Sequence, residues 1–305
     1  MAASTLGMLA SIPGQTMGVG VFSEYLISKT GLNRIELSFA YMLGTILSSL
    51  ILPFAGKLLD RIGARMMILA TGIGLGLSLL FFAQAVTLIN TLNPIFTDFF
   101  PQTFLALLVM TIAFMLLRQF GQGIMAMVSR NVIAKWFDAK RGLVTGISGI
   151  FVSFGFSAAP LGINNLINWL GFLDTILLLS ATCGFGMALL GWLFFRDHPE
   201  ECGLFMDGNS GVKVSEHATT PKRDSTLSDA VRSYNFWIFC LGMCSSSLIV
   251  TGFTFHIGSI GETSGLSRID SYSIFLPMSV VSVVSYFLSG WASDRMSLKY
   301  LLMTY

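Results

Sequence analysis

Charge is what this sequence has least of. Only 11% of its 305 residues are Asp, Glu, Lys or Arg, and the formal net charge is +2. That is too little for the surface of a soluble domain and too balanced for an electrostatic grip on nucleic acid. Cysteine is sparse too. Of the 4 cysteines, Cys183, Cys240 and Cys244 fall in apolar runs and Cys202 is expected on the cytoplasmic side, where thiols stay reduced, which argues against a disulfide framework. Cys240 and Cys244 share a helical face but have no His or acidic company, so a metal site is not expected. Neither H-E-x-x-H nor G-x-x-x-x-G-K-[ST] occurs. "GISG" at 146–149 fits the pattern of an intramembrane serine protease, yet Ser148 falls near the basic end of its apolar run. His256, the one histidine in such a run, falls near the opposite end of its own, so the two cannot form the required hydrogen bond. No enzyme and no cofactor are expected.

Apolar length is what the sequence has instead. Hydrophobic residues make up 53% of the chain, 26 are Phe, and the mean hydropathy is +0.73. Nearly uncharged runs cover 4–23, 37–59, 66–90, 104–128, 142–166, 173–195, 236–260 and 272–292. Each is close to the ~20 residues a helix needs to cross the hydrocarbon core, which predicts an all-α membrane protein of eight spans. The first lacks the basic n-region and cleavage site of a signal peptide and is expected to be retained. Lys57, Arg61, Arg65, Arg130, Lys135, Lys140, Arg141, Arg196, Lys213, Lys222, Arg223, Arg232, Arg295 and Lys299 follow even-numbered spans, whereas only Lys29, Arg34 and Arg268 follow odd-numbered ones. Basic residues near span ends stay on the cytoplasmic side, so the N-terminus is expected there and the protein in the cell membrane.

The stretch "GKLLDRIGAR" at 56–65 recurs. Gly56, Asp60, Arg61 and Arg65 reappear as Gly290, Asp294, Arg295 and Lys299, all 234 positions later. At the same offset "TGLNRIELS" from Thr30 returns as "SGLSRIDSY" from Ser264. The copies bracket the second and eighth spans, so the repeat unit is six helices plus a linker. The expected organisation is a six-helix bundle over 1–195, a cytoplasmic loop over 196–232, and a partial second bundle over 233–305. By the repeat, four further helices are expected beyond the C-terminal "YLLMTY", making the sequence a truncated one.

Parallel six-helix repeats, a mid-chain cytoplasmic loop and "GKLLDRIGAR" between the second and third spans resemble the major facilitator superfamily, whose signature there reads G-x-L-x-D-R-x-G-R-[RK]. Gly56, Leu58, Asp60, Arg61, Gly63 and Arg65 match, and Ala64 replaces the first Arg. "WFDAKRGLVTGISG", "RDHPEECGL" and "LSDAVRSYNFWIFC" resemble bacterial relatives of the monocarboxylate transporters and oxalate/formate exchangers. The eighth span departs from the monocarboxylate carriers, having no charge where they place an Asp and an Arg. The resemblance implies alternating access by two rocking bundles, with Gly56, Asp60, Arg61, Gly63, Arg65, Arg130, Gly290, Asp294 and Arg295 in a gating latch. Asp60 ends a helix where the macrodipole disfavours a carboxylate, and Arg61, Arg65 and Arg130 are expected to compensate. Gly56 and Gly63 would allow close helix approach and a sharp turn.

Arg118 is the one basic residue inside a span. A mid-membrane arginine costs on the order of 3 kcal/mol unless it faces a polar interior. "LRQFGQG" resembles the superfamily's R-x-x-Q-G, with Gly121 in place of Gln; Gln122 lies one turn on, and Gly121 and Met125 are expected on that face. A guanidinium with amide neighbours suits a carboxylate, and an arginine held by carbonyls or an acid as a packing or proton-coupling element stays equally open. Gln15 and Thr16, after Pro13 and Gly14, suit either a discontinuous helix beside a solute or a simple kink. Thr251 and Thr254 form a small polar stripe with Cys244 and Ser247, and Gly142, Gly146, Gly149 and Ser153 suggest close helix packing. The function expected is a secondary transporter of a small organic anion, a mono- or dicarboxylate. A transporter-like solute sensor and a carrier of a non-carboxylate solute are the alternatives. The partners expected are that solute, a coupling proton or exchanged anion, and the lipid bilayer.

Overall fold

The computed structural model describes residues 1–96, 102–137, 140–206 and 227–293, and among these it contains helices and no strand. The first apolar run is a broken helix: α1 (Ala2–Ala10) ends in a 3-10 turn at Ile12–Gly14, and α2 (Thr16–Thr30) resumes after Gln15, whose φ −81° and ψ 155° are extended. Pro13 lacks the N–H that an uninterrupted helix would use. The discontinuous alternative is therefore the one adopted.

α3 (Arg34–Phe96) has 63 residues, about three times the ~20 that one crossing needs. It divides at Gly63 (φ 80°, ψ 167°) into rods 34–62 and 64–96. The polar stretch between the second and third spans is thus helical except at this one residue. α4 (Gln102–Leu117) passes through a π-helical turn, Arg118–Met125, into α5 (Ala126–Trp136). α6 (Arg141–Leu170) follows, then α7 (Phe172–Leu179), which reaches α8 (Met187–Phe194) through a second π turn at Ser180–Gly186. Past the linker lie the short α9 (Leu227–Arg232), α10 (Tyr234–Thr263), the short α11 (Arg268–Ser273) and α12 (Phe275–Ser293). Among the described residues, five helical stretches are apolar and long enough to span a membrane by length and composition.

The core lies mostly among the helices before the linker, with Phe255, Ile257, Tyr272 and Phe275 joining it from beyond. Phe22, Phe82, Phe114 and Phe172 meet there, with Phe22 edge-on to Phe172 at 5.8 Å. Leu50, Phe54, Leu248 and Ile249 are exposed, as lipid-facing side chains should be. α10 leans on α2, and α11 and α12 lean on α6. Among the described residues the close packing expected of Gly142, Gly146 and Gly149 is not made, since none lies within 4 Å of a Cβ built at any of them. Ser148 is buried and hydrogen bonded to Thr5 at 2.8 Å, which makes it a packing residue.

The sequence repeat is visible as local geometry. Gly31 and Gly265 both take positive φ, 73° and 76°, a conformation glycine enters without steric cost. Asn33 Oδ1 then accepts from the Glu36 N–H at 2.9 Å, and Ser267 Oγ accepts from the Asp270 N–H at 3.1 Å. The same cap therefore starts rod 34–62 and α11, at the same 234-residue offset.

Candidate functional site

Two irregular backbone segments meet inside the bundle. Gly14, at the break between α1 and α2, lies against the π turn. A Cβ at Gly121 would come 2.7 Å from the Gly14 Cα, and one at Gly14 would collide with the Leu117 carbonyl. Only residues without side chains allow this approach. Non-helical backbone at membrane depth persists where it is buried in protein or lines a cavity, and π turns recur at functional sites.

Arg118 opens the π turn and is 7% exposed. Its Nη1 donates to Thr16 Oγ1 at 3.3 Å, and its guanidinium stands 5.3 Å over the Tyr41 ring. Thr16 and Tyr41 share a hydrogen bond of 2.9 Å. Phe255 of α10 stacks on the outer side of Tyr41, 4.6 Å between centroids and 23° between planes. A guanidinium carries five N–H donors, and among the described residues neither a carboxylate nor a backbone carbonyl accepts from this one. The acidic or carbonyl partner weighed as the structural alternative is thus not in place.

Two amides follow the arginine in the same π turn. Gln119 takes a hydrogen bond from the Ser48 hydroxyl at 2.9 Å, while its Nε2 is buried without a partner among the described residues. Gln122 Oε1 is likewise buried and unpartnered. Such groups cost about 1–3 kcal/mol each, and in native proteins they call for a ligand or water. Gln15 donates to Ser11 Oγ at 3.0 Å, fixing the break. Thr254 is buried, and the backbone of Thr254 and Phe255 packs on Gly20; Thr251 is half-buried. Among the described residues neither threonine bonds to Arg118. The expected grouping of Arg118, Gln122 and Thr16 is brought together, while Thr251 and Thr254 stand apart from the guanidinium's bonds. Tyr41, Gln119, Ser48 and Phe255 are additions.

At the Gly63 break the chemistry differs from expectation. Asp60, Arg61 and Arg130 are exposed and form no ion pair among the described residues, so Arg61 and Arg130 do not compensate Asp60 in this conformation. The close approach expected at Gly56 is also missing among the described residues: none lies within 4 Å of a Cβ there. The carboxylate that serves the helix terminus is Asp197, just beyond α8. Its Oδ1 accepts from the Ala64 N–H at 2.6 Å and lies 3.6 Å from Lys135 Nζ, while its carboxylate fills the space a Cβ at Gly63 would need. A carboxylate at a helix N-terminus is favoured by the macrodipole. Arg65 donates from Nε to the Trp192 carbonyl at 2.8 Å and lies 5.0 Å from that indole ring. Trp136 Nε1 donates to the Arg196 carbonyl at 3.0 Å. The sequence signal for Asp197 is weak: "RDHPEE" places it two residues after a span, but Glu200 and Glu201 follow closely and nothing singles it out. Gly290 lies on α12, and Asp294 and Arg295 lie outside the described residues.

No curated protein and no solved structure matches the chain. The sequence profile described as Major Facilitator Superfamily matches residues 5–305. With its apolar helices, broken first helix and buried polar turn, the chain belongs to the major facilitator superfamily of membrane transporters.

Proposed function

We propose that the protein is a secondary transporter of a small organic anion, a mono- or dicarboxylate, working by alternating access. One observation carries this reading: Arg118 is buried without an acidic partner among the described residues, in a π turn that also holds an unpaired Gln119 Nε2 and an unpaired Gln122 Oε1. An always-charged planar fork with vacant donors fits a carboxylate in two parallel hydrogen bonds. The segments "WFDAKRGLVTGISG" and "RDHPEECGL" support the same substrate class by their resemblance to monocarboxylate and oxalate/formate carriers. Thr16 and Tyr41 hold the guanidinium while the site is empty and release it to the anion, Gln122 and Gln15 supply polar contacts, and Thr251 and Thr254 line the path on α10. Binding from either side then favours rocking of the helices around the site, coupled to a proton or an exchanged anion.

The loop at 56–65 is the gate on the cytoplasmic side in this reading. Asp60, Arg61 and Arg130 stay exposed to engage the second repeat, with Gly290, Asp294 and Arg295 as the matching element, while Gly63 and Arg65 fix the loop on α8. The distribution of basic residues supports this orientation.

Uptake of labelled carboxylates into proteoliposomes, with a thermal-shift screen of the same compounds, tests the proposal. Arg118→Gln abolishes binding, and Arg118→Lys, which keeps the charge but loses the fork, weakens it roughly ten-fold or more. An Arg118→Gln protein that inserts correctly and binds the anion with unchanged affinity overturns the reading. Binding without uptake would favour a solute sensor.

A further inference from the structure

At the end of the molecule opposite Gly63, four charges from the two repeats form a node. Arg34 Nη2 reaches Glu24 Oε1 at 2.6 Å, and Arg268 Nε reaches Glu262 Oε1 at 2.9 Å. These two pairs are each internal to one repeat. The only ion pair joining the repeats among the described residues is Arg268 Nη2 to Glu24 Oε2, at 4.0 Å. The arginines are repeat equivalents, 234 positions apart, but the acids are not. Position 258, the counterpart of Glu24, is Gly, and position 28, the counterpart of Glu262, is Ser. Each repeat has thus put its acid at a different turn, and Arg268 sits between the two carboxylates.

A cavity of about 260 Å³ lies beside the node, bounded by Val21 and Tyr25 of α2, Asn164 and Asn168 of α6, and Ser267 and Arg268. It separates the first repeat's helices from α11. Asn164 is 7% exposed and makes no hydrogen bond from its side chain among the described residues.

We propose that the Glu24–Arg268 contact is a breakable tie that closes this end of the transport path, and that Glu262 acts as the release partner for Arg268. When the repeats part, Arg34 keeps Glu24 and Arg268 keeps Glu262. Neither charge is left without a counter-ion, so the large penalty for stranding a half-buried charge never arises. The tie is the longest of the three pairs, at 4.0 Å against 2.6 and 2.9 Å, and it is correspondingly the cheapest to break. The cavity marks where the opening would widen. The tie concerns access alone and holds whichever solute occupies the Arg118 site.

The test measures thiol labelling of a Val21→Cys probe in lipid nanodiscs, with Cys183, Cys202, Cys240 and Cys244 replaced by serine. Val21 is 5% exposed and lines the cavity, so labelling by a polar maleimide reports opening at this end. Arg268→Gln removes the tie and raises the rate roughly five-fold. Glu262→Gln has the opposite effect: Arg268 loses its release partner, leans wholly on Glu24, and the rate falls below that of the parent. Mere loosening of the fold would accelerate both variants. Acceleration in both, or an Arg268→Gln rate equal to the parent's, overturns the proposal.

Discussion

The two ends of the bundle each carry a charge cluster, and the clusters are built on different plans. The Gly63 end joins Ala64 and Lys135 to Asp197 at the very start of the linker, with Asp197 Oδ1 2.6 Å from the Ala64 nitrogen. The Gly31 end joins Glu24 and Arg34 to Glu262 and Arg268 across it. A cluster within one packed unit can use short contacts and a helix terminus, because its members never separate. A cluster between units that move must let go, and its linking contact is correspondingly long. Its members also have counter-ions of their own.

The sharpest way to break this contrast is at Gly63. Gly63→Ala puts a methyl group into the Asp197 carboxylate and forces alanine to φ 80°, ψ 167°. We expect a loss of about 3 kcal/mol or more, seen as a large fall in the thermal unfolding temperature in detergent. Asp197→Ala should cost about 2 kcal/mol by stranding the Ala64 N–H and Lys135, whereas Asp197→Asn keeps an acceptor and should cost about half as much. Neither Asp197 variant should change labelling at Val21, and a change there would mean that the two clusters are coupled. At the Gly31 end, Gly31→Ala and Gly265→Ala should each cost about 1 kcal/mol, by equal amounts if the repeat is a structural duplication. The smallest effect expected is from salt. Raising NaCl from about 0.05 to 0.5 M should speed Val21 labelling about two-fold by screening the half-exposed tie, and should leave the unfolding temperature nearly unchanged.

How much of this could be read from the sequence depends on whether a feature is local. Apolar length shows where helices run, since the need to satisfy the backbone in hydrocarbon leaves few alternatives. Pro13-Gly14 marks the break in the first span because proline acts on its own turn. The caps at Asn33 and Ser267 and the positive φ at Gly31 and Gly265 are local too, and the repeat exposes them. Arg118 stands out by its cost alone. Contacts made at long range do not show. Asp197 serves a helix end 133 positions earlier, and nothing near Ala64 calls for it. Tyr41 and Phe255 reach Arg118 only through packing. Small residues mislead for the same reason: Gly142, Gly146 and Gly149 have the spacing of a packing seam, yet no neighbour comes close among the described residues, whereas Gly14 and Gly121, which do touch, belong to no regular pattern.

The π turn at Arg118–Met125 has a consequence for phase. An α-helix advances about 100° per residue, so each residue accommodated by wider i→i+5 bonding rotates everything after it by about that angle. A helical wheel drawn straight through 102–136 therefore assigns α5 to the wrong azimuth relative to α4. Arg118 and Arg130 cannot be placed on one face or on opposite faces by counting threes and fours. Removing one residue from the turn would restore ordinary pitch and swing Val128, Ser129 and Val132 out of their buried positions against the neighbouring helices. The span thus behaves as two helices of fixed but offset phase, with the arginine at the joint.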